Sequence, residues 1–197
     1  MELNKKIKEI FEKNQGVVTT AQAIESGASR QQLYSLAKKE LIERVNHGVY
    51  ILPDIFVDKM HITQIKSQKA IFSHETALYL HDLTDRDPVN YSVTVPSKYH
   101  NRKLIDEGIT VYFVKKELHE IGITKEKTMF GNIVMVYNVE RTICDCLRSR
   151  NRMDADVIIN AMKRYAKRPD KDIHLLTNMA ETFKVSKLLK TYMEVLL

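Results

Sequence analysis

Within residues 4–52 the spacing of apolar side chains switches from helical to alternating, and the order of the resulting elements constrains the fold more than any other feature of the chain. Ile7, Ile10 and Phe11 share one face of a helix over residues 4–14, with Leu3 just before it and Gly16 where a left-handed C-cap residue would sit. Val17 and Val18 read as a short strand. Thr20 can cap a second helix over residues 21–26, which a Gly27 turn ends. Ser29 then caps a third helix, residues 30–40. Two apolar strands, residues 42–45 and 49–52, are joined by Asn46-His47-Gly48, whose residues tolerate positive φ, and Pro53 closes the unit. Three helices followed by a hairpin wing predict a winged helix-turn-helix, a unit whose third helix ordinarily enters the DNA major groove.

The third helix has two distinct faces. Leu33, Leu36, Ala37 and the stem of Glu40 fall on one side, while Gln31, Ser35 and Lys38 centre the other, flanked by Tyr34 and Lys39. Gln and Ser side chains can bond base edges, and Lys and Tyr suit phosphates. Arg30 and Gln32 occupy the first turn, where recognition helices touch bases. The same residue types also make an ordinary solvated face; their place inside a helix-turn-helix with a wing favours nucleic acid. Arg44, Asn46 and His47 at the hairpin tip are candidates for backbone or minor-groove contact, and His47 equally fits an ordinary turn residue.

The 197 residues suffice for one large domain or two small ones, and an apolar content of 44% is normal for a soluble globular chain. No apolar run approaches the ~18 residues of a membrane span, and residues 1–6 lack the apolar core of a signal peptide. Cys144 and Cys146 lie two apart on a predicted helix, so they point to different faces and neither bridge each other nor make a zinc site. A reducing, cytoplasmic location is the simplest reading. The net charge of +6 is unevenly spread: residues 1–60 contribute +1 and the remainder +5. Residues 148–171 alone hold eight basic and three acidic groups. The expected reader is therefore nearly neutral, and the attraction for polyanions lies in the C-terminal part.

The division expected is a winged helix-turn-helix DNA-binding domain, residues 1–56, packed through a short connection on a mixed α/β domain with a helical tail, residues 57–197. The fold class is α+β. Asp58 caps a helix to residue 66, residues 70–72 form a short apolar strand, and Ser73 caps another helix to residue 80 or 81. Residues 91–95 and 109–114 read as strands around a polar, helical stretch at 97–107, followed by a β-pair at 123–129 and 133–137 turning at Gly131-Asn132. Helices over 139–149, 154–168, 172–182 and 186–196 complete the chain. In the second of these, Val157, Ile158, Ala161, Met162 and Tyr165 form the buried stripe, while Asn160, Lys163, Arg164 and Lys167 line the opposite side as a basic ridge suited to a phosphate backbone. Arg148, Arg150 and Arg152 extend that patch, as do Lys98, Arg102 and Lys103; a solvated face is the alternative.

No catalytic constellation emerges. Gly is too scarce for a phosphate-cradling loop, and His74-Glu75 followed by His81 lacks the spacing of a zinc-protease helix. No metal and no cofactor are expected, and the chain does not read as an enzyme. Glu140-Arg141 suggests a helix N-terminal charge interaction or an interdomain salt bridge.

Several segments together resemble the AbiEi-type antitoxins of bacterial abortive-infection (type IV) toxin–antitoxin systems, over nearly the whole chain. They are Arg44-Val45-Asn46-His47-Gly48-Val49-Tyr50, Ala70-Ile71-Phe72-Ser73-His74-Glu75-Thr76-Ala77-Leu78, Tyr91-Ser92-Val93-Thr94-Val95-Pro96 and Val139-Glu140-Arg141-Thr142-Ile143-Cys144-Asp145. Cys144 stands where relatives often carry an aliphatic residue. The resemblance implies a transcriptional autorepressor that binds inverted repeats in double-stranded DNA upstream of its own operon. It also implies an antitoxin that counters a nucleotidyltransferase-like toxin without a stable complex, as part of phage defence. The alternative is an antitoxin that neutralises its toxin by direct protein–protein binding, with an exposed apolar patch or the tail Val195-Leu196-Leu197 as its signature.

Overall fold

The computed structural model describes residues 5–99 and 102–196. Leu3 and Leu197, and the side chains of Val195 and Leu196, lie outside the described residues, so the tail candidate does too. The chain divides into two compact units, Met1–Ile65 and Lys66–Leu197.

The first unit runs α1 (Lys5–Lys13), β1 (Val17–Thr19), α2 (Thr20–Glu25), α3 (Arg30–Lys38), β2 (Glu43–Asn46), β3 (Val49–Ile51) and α4 (Lys59–Lys66). β3 is central in a three-stranded antiparallel sheet, so the short strand before α2 pairs with the wing: Val17, Val18 and Thr19 oppose Ile51, Tyr50 and Val49. Strand alternation sends these side chains to two sides. Val18 and Tyr50 join Ile7, Ile10, Phe11, Ala23, Leu33 and Ile42 in one core, while Val17, Val49 and Ile51 pack with Ile62 of α4. That second cluster carries the unit to Ile65, beyond the boundary at residue 56 that the sequence suggests.

Local chemistry sets the helix ends. Thr19, rather than Thr20, caps α2: its hydroxyl accepts from Gln22 N at 3.1 Å, and Gln22 Oε1 accepts from Thr19 N at 2.8 Å. The reciprocal box needs Gln three residues after the cap, which only Thr19 satisfies. Thr20 instead donates its N–H to the Gly48 carbonyl at 2.8 Å, tying α2 to the wing turn. Gly16 has φ +81°, and a Cβ there would sit 2.5 Å from Ile55 Cγ1, so both backbone conformation and space demand glycine.

The second unit runs β4 (Ile71–Phe72), α5 (His74–Leu80), β5 (Ser92–Pro96), α6 (Arg102–Asp106), β6 (Thr110–Val114), α7 (Lys116–His119), β7 (Ile123–Lys127), β8 (Ile133–Tyr137), α8 (Val139–Arg148), a 3-10 turn (Arg150–Arg152), α9 (Ala155–Lys167), α10 (Ile173–Thr182) and α11 (Ser186–Leu196). The sheet order is β6-β5-β4-β8-β7, with β5/β6 and β4/β8 parallel and the other two pairs antiparallel. The chain crosses from β5 to β6 through α6, as parallel neighbours require. Leu78, Ile143, Leu147, Ile158, Met162, Tyr165, Leu176 and Phe183 form the core between α5 and the helical tail.

Candidate nucleic-acid interface

Helix α3 is held at its start by a second capping box: Ser29 Oγ accepts from Gln32 N at 3.1 Å, and Gln32 Oε1 accepts from Ser29 N at 2.7 Å. Leu33, 1% exposed, anchors its inner face, with Leu36 and Ala37 half-buried beside it. Arg30, Gln31, Gln32, Tyr34, Ser35, Lys38 and Lys39 are all exposed. Tyr34 holds 67% of its surface in solvent, a large exposed ring on the outer face of the helix. The Gln32 side-chain oxygen is occupied by the cap, which leaves its amide N–H groups alone for a partner.

The wing tip has its own internal order. A register shift between Arg44 and Asn46 marks a bulge in β2, a device that re-aims side chains at a strand end. Asn46 is half-buried, and its Oδ1 accepts from His47 N at 2.6 Å, so Asn46 shapes the turn. Arg44 and His47 reach solvent, and the Arg44 guanidinium donates to His47 Nδ1 at 3.0 Å.

In the second unit the basic residues named from the sequence separate into committed and free groups. Asn160, Lys163, Arg164 and Lys167 of α9 line one cleft of about 500 Å3 with Thr84, Asp85 and Arg86. Arg164 forms a two-bond pair with Asp85, whose carboxyl the hydrogen-bonded guanidinium holds below its ordinary range. Lys163 and Lys167 are exposed and make no ion pair among the described residues. Arg148 is drawn inward, with Nη2 3.2 Å from Asp145 Oδ1 and its guanidinium carbon 5.7 Å from the Phe183 ring centre. Arg152 lies 4.3 Å from the Tyr112 ring centre, and Arg150 is exposed. Helical periodicity places these cations on a face and sets Arg148 one turn from Asp145; it carries no information on Asp85, which reaches Arg164 from elsewhere. Lys98, Arg102 and Lys103 are exposed as well, and Lys98 shares a second cleft with Lys69, Lys115 and Lys116, which no spacing in the sequence brings together.

The two segments most specific to the resemblance are interior. Ser73 does not cap α5; its hydroxyl accepts from Thr94 Oγ1 at 2.8 Å, and Ser92 Oγ takes over the capping role by accepting from Thr76 N at 3.1 Å. Burying Ser73, Thr76, Ser92 and Thr94 together satisfies each hydroxyl inside the sheet–helix junction. Glu140-Arg141 is likewise no interdomain bridge: Arg141 is 0% exposed, and its Nε donates to Asp145 Oδ2 at 2.8 Å within the same helix. Its Nη1 donates to the carbonyls of Leu118 and Ile121, both at 2.8 Å, and its guanidinium carbon lies 4.0 Å and 3.8 Å from the Tyr137 and Phe183 ring centres. Gly122, at φ +77°, permits this approach, since a Cβ there would meet Arg141 Cβ at 2.9 Å. Glu140 accepts from the Tyr165 hydroxyl at 3.2 Å and from Asp172 N at 3.3 Å.

His74 sits at φ +50° and is wholly buried, its ring bonded to Ser73 Oγ at 2.9 Å and Ser149 Oγ at 3.0 Å and stacked 3.4 Å from Tyr112. Burial, then the charges of Arg148, Arg141 and Arg152, hold its pKa well below 6.5. The folded protein therefore keeps His74 neutral where the unfolded chain protonates it. The unfolded state binds the extra proton below 6.5, so stability is expected to fall as pH drops through that range, by at most ~1.4 kcal/mol per pH unit for this group. His119 is shifted the same way by burial and adds to the slope. Urea midpoints for wild type and His74→Asn, a residue that tolerates positive φ, should diverge in pH dependence between about pH 7 and 5. Parallel curves would assign the slope to other groups.

Residues 5–53 match the family described as transcriptional regulator, AbiEi antitoxin, the family that the sequence motifs resemble. No curated protein matches the sequence. The crystal structure of the RV2827C protein from Mycobacterium tuberculosis is similar at a TM-score of 0.61, covering 89% of this chain and 69% of that one. At 10% identity the likeness is one of fold. The chain thus carries an AbiEi-type helix-turn-helix domain ahead of a mixed α/β unit, and among the described residues no helix is long and apolar enough to cross a membrane.

Proposed function

We propose that this protein is a cytoplasmic, sequence-specific DNA-binding autorepressor and antitoxin, which binds inverted repeats upstream of its own genes and acts without catalysis or cofactor. One observation carries the reading. The helix α3, locked at its start by the Ser29–Gln32 box, holds Arg30, Gln31, Tyr34, Ser35 and Lys38 toward solvent inside the segment that matches the AbiEi regulator family. In this reading Gln31 and Ser35 contact base edges, Arg30, Tyr34, Lys38 and Lys39 position the helix on phosphates, and Arg44 and His47 reach the flanking groove. Gln32 contributes through its amide N–H groups, and Asn46 by shaping the wing tip. The second unit adds phosphate contacts through Lys163 and Lys167, with Arg150 as an outlying cation. Arg148 and Arg164 act by fixing local structure. A titration with footprinting on the DNA upstream of the gene tests the proposal. The expected result is a protected pair of inverted half-sites about 10 bp or a multiple apart. Equal affinity for that DNA and for random duplex would overturn it.

Charge reversal at both Lys163 and Lys167 is expected to lower the salt dependence of DNA binding by about two units of log–log slope, close to one for each phosphate that is no longer neutralised. An unchanged slope in a salt titration would remove α9 from the interface.

The antitoxin activity follows the resemblance to proteins that counter a nucleotidyltransferase-like toxin without a stable complex. A direct-binding mode has one feature in its favour: Met129, Phe130 and Ile133, around the β7–β8 turn, keep 83%, 46% and 46% of their surface exposed. Co-purification of toxin with wild type, but not with Met129→Ser/Phe130→Ser, would select that mode.

A further inference from the structure

We propose that the second unit holds a binding cleft for a small polyphosphate, of the class of a nucleoside triphosphate, at the carboxyl ends of β5 and β6. The two strands run parallel and end in register, Pro96 opposite Val114, so the segments that follow them leave the sheet side by side. β4 is antiparallel to β5, which brings the residues just before it to the same end. Three segments distant in sequence thereby place Lys69, Lys98, Lys115 and Lys116 around one cleft of about 660 Å3. Crevices outside the carboxyl ends of parallel strands are where ligands of α/β sheets bind, and this volume lies within the ordinary range for small-molecule sites.

The walls are tied before any ligand arrives. Ser97 N donates to the Val114 carbonyl at 2.7 Å, joining the two strand ends. His119, 4% exposed, donates from Nε2 to the Lys69 carbonyl at 2.9 Å. The Tyr99 hydroxyl is bonded to Ser67 Oγ at 3.1 Å. Against this frame all four lysines are exposed, and none makes an ion pair among the described residues. Glu117 and Glu120 also line the cleft, which leaves a net surplus of positive charge. Four lysines against two glutamates around one concavity leave a positive surplus that concentrates an anion there. Lysine binds phosphate as a point charge, which suits a flexible chain of phosphates. The cleft's volume is that of a small-molecule site.

Isothermal titration of the full-length protein with ATP, tripolyphosphate and adenosine tests the assignment. ATP and tripolyphosphate should bind saturably at one site, and adenosine should not. Lys98→Ala/Lys115→Ala should weaken both by about tenfold or more, because two charge-assisted hydrogen bonds to phosphate can no longer form, while Lys187→Ala on α11 changes nothing. Thermal unfolding of each variant identifies any that misfold, and Lys116→Ala serves as the replacement for one that does. Absence of saturable binding, adenosine binding as well as ATP, or equal affinities in all variants would each overturn the proposal. So would displacement of ATP by a short mixed-sequence duplex that itself loses affinity in the cleft variant, since the cleft would then be part of a DNA track.

Discussion

Replacing Arg141 by alanine is expected to cost about 3–5 kcal/mol of folding stability, the usual penalty for removing one partner of a buried ion pair. Arg141 and Asp145 are both 0% exposed, and without the guanidinium Asp145 keeps, among the described residues, only the Arg148 ion pair at 3.2 Å. The carbonyls of Leu118 and Ile121 lose the donor that joins them to α8, and the gap between the Tyr137 and Phe183 rings loses its filling. Against a total of about 5–15 kcal/mol, such a loss brings the chain near its unfolding threshold at physiological temperature. Among the described residues Arg141 Nη2 has no hydrogen-bond acceptor, consistent with a group placed by ring faces as much as by polar bonds. The sharper comparison is Arg141→Met against Arg141→Met/Asp145→Leu: removing the stranded carboxylate should restore much of the stability that the single change removes. Denaturant midpoints decide it. An Arg141→Ala protein within about 1 kcal/mol of wild type would mean that the interior tolerates the bare carboxylate.

The second large effect is expected on DNA. Gln31→Ala/Ser35→Ala should lower affinity for the upstream repeats by roughly 30-fold or more, because two base-edge contacts at about 1–3 kcal/mol each sum to at least about 2 kcal/mol of discrimination. Binding to random duplex, which depends on phosphates, should change little. Both side chains are exposed on a capped helix, and alanine is the best helix former, so folding should be preserved. Gel-shift titrations on both DNAs at one salt concentration measure the ratio. Equal losses on the two would locate Gln31 and Ser35 on the backbone and not on bases.

The two variants separate a division of labour that the motifs alone disguise. The segments around Ser73 and Arg141 carry the most specific part of the resemblance, yet their side chains face inward, where they satisfy one another's polar groups. They build the interior of the second unit and leave its exposed surface to other residues. The exposed chemistry lies on α3, on the free lysines of α9 and in the four-lysine cleft.

Local information explains what could be read directly. The three helices, the Ser29 cap, the wing turn and the stripe of α9 depend on residues within a few positions of one another, and the structure contains each of them. Even the displaced cap of α2 is present in the Thr19-to-Gln22 spacing. Parallel pairing of β5 with β6, the addition of β1 to the wing sheet and the docking of Ile62 depend on contacts far apart in sequence, which periodicity does not encode. The same limit applies to charge. Sequence alone determined that residues 148–171 are rich in cations and that α3 has a polar face. Arg148 meets Asp145 three residues earlier on the same helix, a pairing that helical spacing already contains, whereas only tertiary structure decided that Arg164 is neutralised by Asp85 while Lys163 and Lys167 stay free. A side chain's own position sets the direction in which its charge points and pairs it with acids a helical turn away; an acid such as Asp85 is brought to Arg164 by the fold from elsewhere in the chain.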